Sequence, residues 1–195
     1  MPLLPPEPNV FPDALFTDDS TKHAESDRVW WVLHTKPRQE KSLARQLLEV
    51  RIPFYLPTIA QRCMVRNRVL HSHVPLFAGY VFLLADRTER VTALATGRIV
   101  RTLEVFDQPA IWHDLSQIHR LIAAGAPITP EARLTPGTPV VIRTGPLAGL
   151  KGKILRTASG QRFIVQVDFI QQGASILLED FRLAPAEEES PALRG

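Results

Sequence analysis

The sequence has little of what disulfide scaffolds, membrane proteins and disordered chains require. Its 195 residues include one cysteine, Cys63, so neither an intramolecular disulfide nor a cysteine-rich zinc site can form, and a reducing cytoplasm is expected. No run of about 18 apolar residues occurs, and residues 1–27 lack a basic head and an apolar segment, so we expect no membrane span and no secretory signal. With 45% apolar residues the chain can bury a core, which excludes disorder throughout.

The phosphate-binding and hydrolase motifs are also missing. The glycine-containing stretch before Lys153 would need glycine at 147 and Ser or Thr at 154 to be a P-loop, but Leu147 and Ile154 stand there. There is no G-x-S-x-G, no H-E-x-x-H and no dinucleotide fingerprint after a strand. We therefore expect a protein that is not an enzyme and needs no cofactor.

Histidine and cysteine leave one alternative open. His71 and His73 alternate along a predicted strand, so their side chains point to one side, where two imidazoles could share a metal ion. No third ligand can be assigned, and we favour solvent-facing histidines over a metal-dependent enzyme. Cys63 has no assignable partner, and we favour a passive thiol over a nucleophile.

Charge is distributed unevenly. Residues 1–27 carry six acidic side chains against one lysine, and the tail is acidic too, which leaves about +10 on the segment between. No acidic residue occurs between Glu49 and Asp86, and Arg66 and Arg68 stand where a hairpin tip is predicted. Such a tip can lie along a phosphate backbone, although an ordinary solvated loop explains it equally well.

The pattern of apolar residues divides the chain. Residues 1–27 are predicted to be a disordered proline-rich arm, 28–125 a domain of order β-α-β-β-α-β-α with a mainly antiparallel sheet flanked by helices, and 126–135 a proline-stiffened linker. Residues 136–185 contain four short strand candidates separated by glycine-containing turns, which predicts a small β-barrel, and 186–195 form an acidic disordered tail. The predicted class is α+β.

Aromatic pairs indicate a second kind of surface. Trp30 and Trp31 are adjacent on a predicted strand and must face opposite ways, and Phe77 and Tyr80 flank the entrance of another strand. Core packing is favoured for any one of them, but together they suggest an apolar patch for a protein partner.

These residues are also recognisable as a family pattern. The run from Trp30 to Glu40 resembles the opening strand and helix of the NusG N-terminal (NGN) domain, and residues 76–82 resemble its F-P-G-Y-V strand. Residues 137–154 resemble a KOW motif, whose turn uses Gly145, Pro146, Gly149 and Gly152 for bends and a close backbone approach. The order and spacing are specific, and Thr35-Lys36-Pro37-Arg38 is closer to specialised RfaH-like paralogues.

The resemblance implies a transcription elongation or antitermination factor in the cytoplasm, where it would associate with the nucleoid through RNA polymerase. In the family the first domain places an apolar patch on the clamp helices of the largest polymerase subunit and lies near upstream or non-template DNA. The KOW domain, with an SH3-like barrel, recruits Rho or a small-subunit ribosomal protein. The protein itself is expected to be a monomer. Carried over by motif position, the polymerase-binding residues are Phe77, Tyr80 and His34, and charge and position make Lys36, Arg38 and Arg98 candidates to face DNA.

Two departures from the family pattern bear on this transfer. Ala78 replaces the family's proline, and Leu147 and Leu150 replace aromatic residues common in the KOW turn, which affects the choice of partner. An alternative function is a KOW-type RNA-binding or ribosome-associated protein, which explains the basic hairpin and the barrel but gives the first domain no role.

The RfaH barrel can refold as a helical hairpin, and we expect no such switch here. The β-branched strands Val140–Ile142 and Phe163–Val167 and the intact turn glycines favour a stable barrel. Circular dichroism of an isolated fragment of residues 135–186 is therefore expected to show strand without helix. A helical spectrum would refute this prediction.

Overall fold

The computed structural model describes residues 8–17, 27–65, 68–125, 127–133, 137–157, 160–177 and 183–185, without the side chains of 62–65, 68–71, 157 and 183–185. The chain divides into two compact units, Met1–Ile122 and Ala123–Gly195. The predicted acidic tail, residues 186–195, lies outside the described residues.

The first unit combines strands and three helices among its described residues. In chain order these elements are β1 (Val10–Phe11), β2 (Val29–Thr35), α1 (Glu40–Glu49), β3 (Phe54–Tyr55), β4 (Thr58–Val65), β5 (Arg68–Pro75), β6 (Tyr80–Ala85), α2 (Arg87–Ala95), β7 (Ile99–Glu104) and α3 (Gln108–Ala123). Five strands form one antiparallel sheet in the order β1-β3-β6-β2-β7, and β4 and β5 form a separate antiparallel hairpin.

One face of the five-stranded sheet packs against α1 and α2. Leu33, Val81 and Leu83 point to this face and are fully buried in a cluster with residues of both helices. From α1 the cluster includes Leu43 and Leu47, which lie one turn apart and so share one side of the helix. This side of α1 is therefore buried, whereas the neighbouring Leu48 is exposed.

The other face, which we call the aromatic face, carries the alternate residues of the same strands. Trp30, Tyr55 and Phe82 lie on it and are buried. Helix α3 packs on this side, since the ring of His119 lies 5.7 Å from that of Tyr55. The side chain of Gln108 fixes the start of α3 by bonding both the N–H (2.6 Å) and the carbonyl (3.0 Å) of Trp30.

Trp31, as predicted, faces the opposite way from Trp30. It is half-buried against the helix-packed core, and the guanidinium of Arg90 lies 4.4 Å from its ring centroid. The helix that contributes Arg90, α2, begins with a capping box: the Asp86 carboxylate accepts from the Glu89 N–H, and the Glu89 carboxylate accepts from the Asp86 N–H.

The N-terminal arm departs from the expectation of disorder. Residues 8–17 are structured: β1 pairs with β3, Leu15 is fully buried, and the ring of Phe16 packs against Trp30 and Tyr55. The prediction is therefore wrong for this stretch, because its apolar side chains find partners on the sheet. Residues 1–7 and 18–26 lie outside the described part.

The second unit is all β apart from one 3-10 turn among its described residues. Its elements are β8 (Thr129–Glu131), β9 (Thr138–Ile142), β10 (Lys151–Thr157), β11 (Gly160–Val167), a 3-10 turn (Asp168–Ile170), β12 (Gln172–Leu177) and β13 (Leu183–Pro185). The strands form an antiparallel sheet in the order β13-β9-β10-β11-β12-β8 around a core that includes Ile142, Phe163 and Ile176.

Strand β8 corrects the expectation that 126–135 is only a linker. It pairs with β12, and the Ser175 hydroxyl donates to the Glu131 carboxylate while accepting from the Arg162 guanidinium. Sequence pattern could not show this pairing because β8 has three residues, two of them exposed. The predicted α+β class, an antiparallel sheet flanked by helices followed by a small β unit consistent with a KOW domain, is confirmed.

Stability is expected to depend on pH through His119. Burial lowers the pKa of this imidazole, so the folded chain holds its proton less tightly than the unfolded chain does. The stabilisation is fully present above the unfolded pKa of about 6.5 and is lost as pH falls through the folded pKa. Urea midpoints measured from above the unfolded pKa to below the folded pKa of His119 should fall with acidification. The substitution His119→Gln should reduce that fall. An unchanged pH dependence in the variant would contradict this assignment.

Candidate functional site

Three neighbouring side chains, one from each of the strands β6, β2 and β7, form a row on the same side of the sheet as the aromatic face. His34 on β2 is paired in register with Tyr80 on β6 and with Arg101 on β7. Side chains of register partners point to the same side, so aromatic, imidazole and guanidinium groups stand next to one another. The rings of His34 and Tyr80 are 5.4 Å apart, and both are half-buried, whereas Arg101 is exposed. We call these three residues the cross-strand row.

The turn before β6 fixes Tyr80 in this row. Gly79 has φ +83, and a Cβ there would lie 3.5 Å from the His34 imidazole. The Gly79 N–H donates to the Glu40 carboxylate at 2.7 Å, and the Gly79 carbonyl accepts from the Thr35 N–H at 2.8 Å. The buried Glu40 on α1 therefore holds the turn against the sheet.

Phe77 is separated from the surface that was predicted to contain it. Its side chain is 1% exposed, and its ring packs edge-on against Phe82 at 6.2 Å. The turn directs Phe77 into the core and leaves Ala78 exposed. Phe77 thus packs against Phe82 of the aromatic face. It is too deeply buried to contact a partner directly in this conformation.

Arg101 is the member of the row that sequence reasoning missed. It is 21 residues from Tyr80 and belongs to a strand that was predicted, but only the register of β7 against β2 shows that it flanks His34. Tyrosine and arginine are both enriched among the residues that contribute most to protein interfaces. The row can provide stacking, hydrogen bonding and a fixed positive charge within one small area.

The candidate nucleic-acid residues fall into two groups. Lys36 and Arg38 are exposed in the turn between β2 and α1, where Arg38 has φ +61. Arg98 is half-buried, and its guanidinium donates to the Ser42 hydroxyl at 2.8 Å and to the Thr96 carbonyl at 3.0 Å. Arg98 therefore ties α1 to the end of α2, whereas Lys36 and Arg38 are exposed.

The basic hairpin is described only as backbone near its tip. Strands β4 and β5 pair up to Val65 and Arg68. Arg66 lies outside the described residues, as does the side chain of Arg68. The same limit applies to Cys63 and His71, while His73 is exposed. Among the described residues no three His, Cys, Asp or Glu side chains form a group that could hold a metal ion.

The turn between β9 and β10 in the second unit has the geometry that its glycines require. Gly145 and Gly149 have φ +88 and +84, a region that favours glycine. The Gly149 N–H donates to the Ile142 carbonyl at 2.8 Å, and the Ile142 N–H donates to the Leu150 carbonyl at 3.0 Å. Pro146 is exposed in this turn.

Leu147 and Leu150 point inward from the same turn. They are 1% and 0% exposed, so these replacements of the family's aromatic residues serve the core and leave no apolar surface of their own. The larger apolar side chains that this unit does expose include Phe169 and Leu177.

The comparison with protein families covers the first unit. Residues 28–121 match the family model NusG, described as transcription termination factor nusG. The match spans the cross-strand row, the basic hairpin and nearly all of α3, and it begins after β1. Residues 28–121 are therefore similar to the NusG family of transcription factors.

Two solved structures are similar to the chain at a lower level. Thermotoga maritima NusG, in a structure described as domain interaction, is 17% identical with a TM-score of 0.44, over 77% of this chain and 93% of that one. The MjSpt4:Spt5 complex in conformation B is 15% identical with a TM-score of 0.24, over 80% of this chain and 97% of that one. No curated protein matches the sequence.

Every helix in the described ranges is too short or too polar to cross a membrane.

Gly152 is expected to be the least replaceable glycine of the second unit. A Cβ there would collide with the Ile164 carbonyl and lie 2.7 Å from the Phe163 ring. Gly152→Ala should therefore cost about 1–3 kcal/mol of unfolding free energy. Urea unfolding measures this, with Thr138→Ala on the exposed part of β9 as the control. Equal midpoints for the wild type and Gly152→Ala would show that the close approach is not a constraint.

Proposed function

We propose that this chain is a transcription elongation and antitermination factor that binds RNA polymerase through its first unit. The match of residues 28–121 to the NusG model is the observation that carries the proposal. The resemblance of Thr35-Lys36-Pro37-Arg38 to specialised paralogues supports antitermination as its role. The chain acts by binding, without covalent chemistry, in the compartment that holds polymerase and DNA.

The cross-strand row is the proposed contact with the clamp helices of the largest polymerase subunit. Tyr80 and His34 offer a half-buried pair of rings, which are already ordered and lose little freedom on binding. Arg101 adds an exposed charge beside them, suited to an acidic group on the partner. Phe77 contributes by holding Phe82 and the turn in place.

The proposed action is a population shift. A factor that binds the closed clamp more tightly than the open clamp moves the equilibrium toward the closed state by the difference between its two binding free energies. Paused conformations that need an open clamp then become less populated.

Lys36 and Arg38, with Arg66 and Arg68 at the hairpin tip, are proposed to lie near upstream or non-template DNA. Contacts of this kind with phosphate would weaken steeply as salt is raised, and they would not depend on base sequence. Arg98 is not part of this set, because its guanidinium is already bonded to Ser42 and Thr96.

The second unit is proposed to recruit Rho or a small-subunit ribosomal protein. Because Leu147 and Leu150 are buried, the contact must use other side chains, and Phe169 and Leu177 are the exposed apolar candidates.

Binding of the full-length chain to core RNA polymerase tests the proposal. Tyr80→Ala and Arg101→Ala are each expected to weaken binding by about 10- to 30-fold, the range of an interface hot spot. Phe106→Ala removes an 88% exposed aromatic ring outside the row, and Arg87→Ala removes an exposed arginine on α2. These matched controls should bind like the wild type.

Circular dichroism and cooperative unfolding first establish that each variant is folded. Equal losses in the row variants and the controls would place the contact elsewhere on the unit. Failure of the folded wild type to bind polymerase would refute the proposal and favour the RNA-binding or ribosome-associated alternative, which RNA and ribosome pull-downs then test.

A further inference from the structure

The segment of residues 8–17, which we call the strap, is an addition to the domain that defines the family. The match to the NusG model begins at residue 28, so the shared domain does not include it. The strap nevertheless joins the sheet at one edge, and its Phe16 ring packs against Tyr55 on the aromatic face. It needs an explanation that the family match does not supply.

At the sheet edge, the strap occupies backbone groups that would otherwise be unpaired. Val10 and Phe11 pair with Tyr55 and Phe54, and the Asn9 carbonyl accepts from the Leu56 N–H at 2.6 Å. Without the strap, β3 would be the outer strand of the sheet and would present these groups to another chain.

On the aromatic face, the strap inserts one ring among three. Phe16 is stacked parallel to Trp30 at 6.1 Å, contacts Tyr55 edge-on at 4.8 Å, and lies 5.1 Å from His119. Leu15 beside it is fully buried. The strap therefore binds as an interface peptide does, with a short strand followed by two apolar anchors.

The rings that Phe16 contacts are linked through further ring contacts to the turn that carries Tyr80 of the cross-strand row. Phe16 contacts Tyr55, Tyr55 lies 6.5 Å from Phe82, and Phe82 packs against Phe77 in the turn that carries Tyr80. Trp30, Phe82 and the row alternate along the same strands, so they share one face of the sheet. The strap thus covers one end of the face whose other end is the proposed polymerase contact.

The strap is also held in a way that allows release. Its strand has two residues, and its burial rests mainly on Leu15 and Phe16. The three residues that join the strand to Leu15, residues 12–14, are exposed. A short segment of this kind belongs to the low-stability end of a domain, which opens locally before the rest unfolds.

We infer that the polymerase docking surface extends from the cross-strand row to the aromatic residues under the strap, so that the strap is a competitor in cis and must leave for polymerase to bind at full affinity. The inference rests on the proposed function. Apparent affinity is then reduced by the fraction of molecules in which the strap is open. The occupant that replaces the strap is a polymerase segment with apolar anchors.

The wild type, two full-length variants and one shortened form test the inference. Phe16→Ala removes the main anchor, Asp13→Ala is a matched control at an exposed strap position, and deletion of residues 1–26 removes the strap entirely. Exchange of the Leu56 amide hydrogen reports whether the strap is in place, because that N–H is bonded to Asn9. Affinity for core RNA polymerase is measured on the same samples, at concentrations where light scattering shows monomers.

We expect Phe16→Ala to exchange the Leu56 amide faster and to bind polymerase several-fold more tightly, about 3- to 10-fold, as the open fraction rises. The shortened form should bind at least as tightly as Phe16→Ala. Asp13→Ala should match the wild type in both measurements. A synthetic peptide of residues 8–17 added to the shortened form should lower its affinity again.

Two kinds of failure are distinguishable. If the wild type and the released forms all bind polymerase equally, or the released forms bind less tightly, the strap is not a competitor while the proposed function stands. If no folded form binds polymerase, the proposed function and the inference both fail. Should Phe16→Ala not fold, the shortened form and the added peptide decide the matter alone.

Discussion

The register of β2 against β6 is the constraint on which the first unit depends. Because side chains alternate along a strand, pairing His34 with Tyr80 and Trp30 with Leu84 assigns every residue of both strands to one of two faces. Leu33, Val81 and Leu83 go to the helix-packed core together with Trp31, and Trp30, Tyr80 and Phe82 go to the other side. A slip of one residue would exchange the two sets, exposing leucines and burying an imidazole and a phenol without partners. The core and the candidate site are therefore specified by the same pairing.

What could be predicted from the sequence is what depends on neighbours in the chain. The apolar side of α1 and the opposite orientations of Trp30 and Trp31 follow from local periodicity, and Asp86 is a typical N-cap residue before α2. The turn glycines of the second unit could be recognised because few residues adopt a positive φ. These features are sufficient to predict the fold class.

What could not be predicted depends on residues far apart in sequence. Arg101 joins His34 only through the register of β7, and Phe77 is buried through its packing against Phe82 on another strand. The strap illustrates the same limit, since five prolines in residues 1–27 indicate disorder, although Val10 and Phe11 pair with a distant sheet edge and Phe16 packs on the aromatic face. Local composition carries no information about a complementary surface elsewhere in the chain.

The paired edge at β3 has a practical consequence for dissecting this protein. A fragment cut where the match to the NusG model begins, at Arg28, would keep every matched element yet present an unpaired strand edge beside the aromatic rings that Phe16 contacts. Two such fragments could join edge to edge, each supplying the hydrogen bonds that the other had lost. A dimer seen in such a preparation would then report the cut and not the natural oligomeric state.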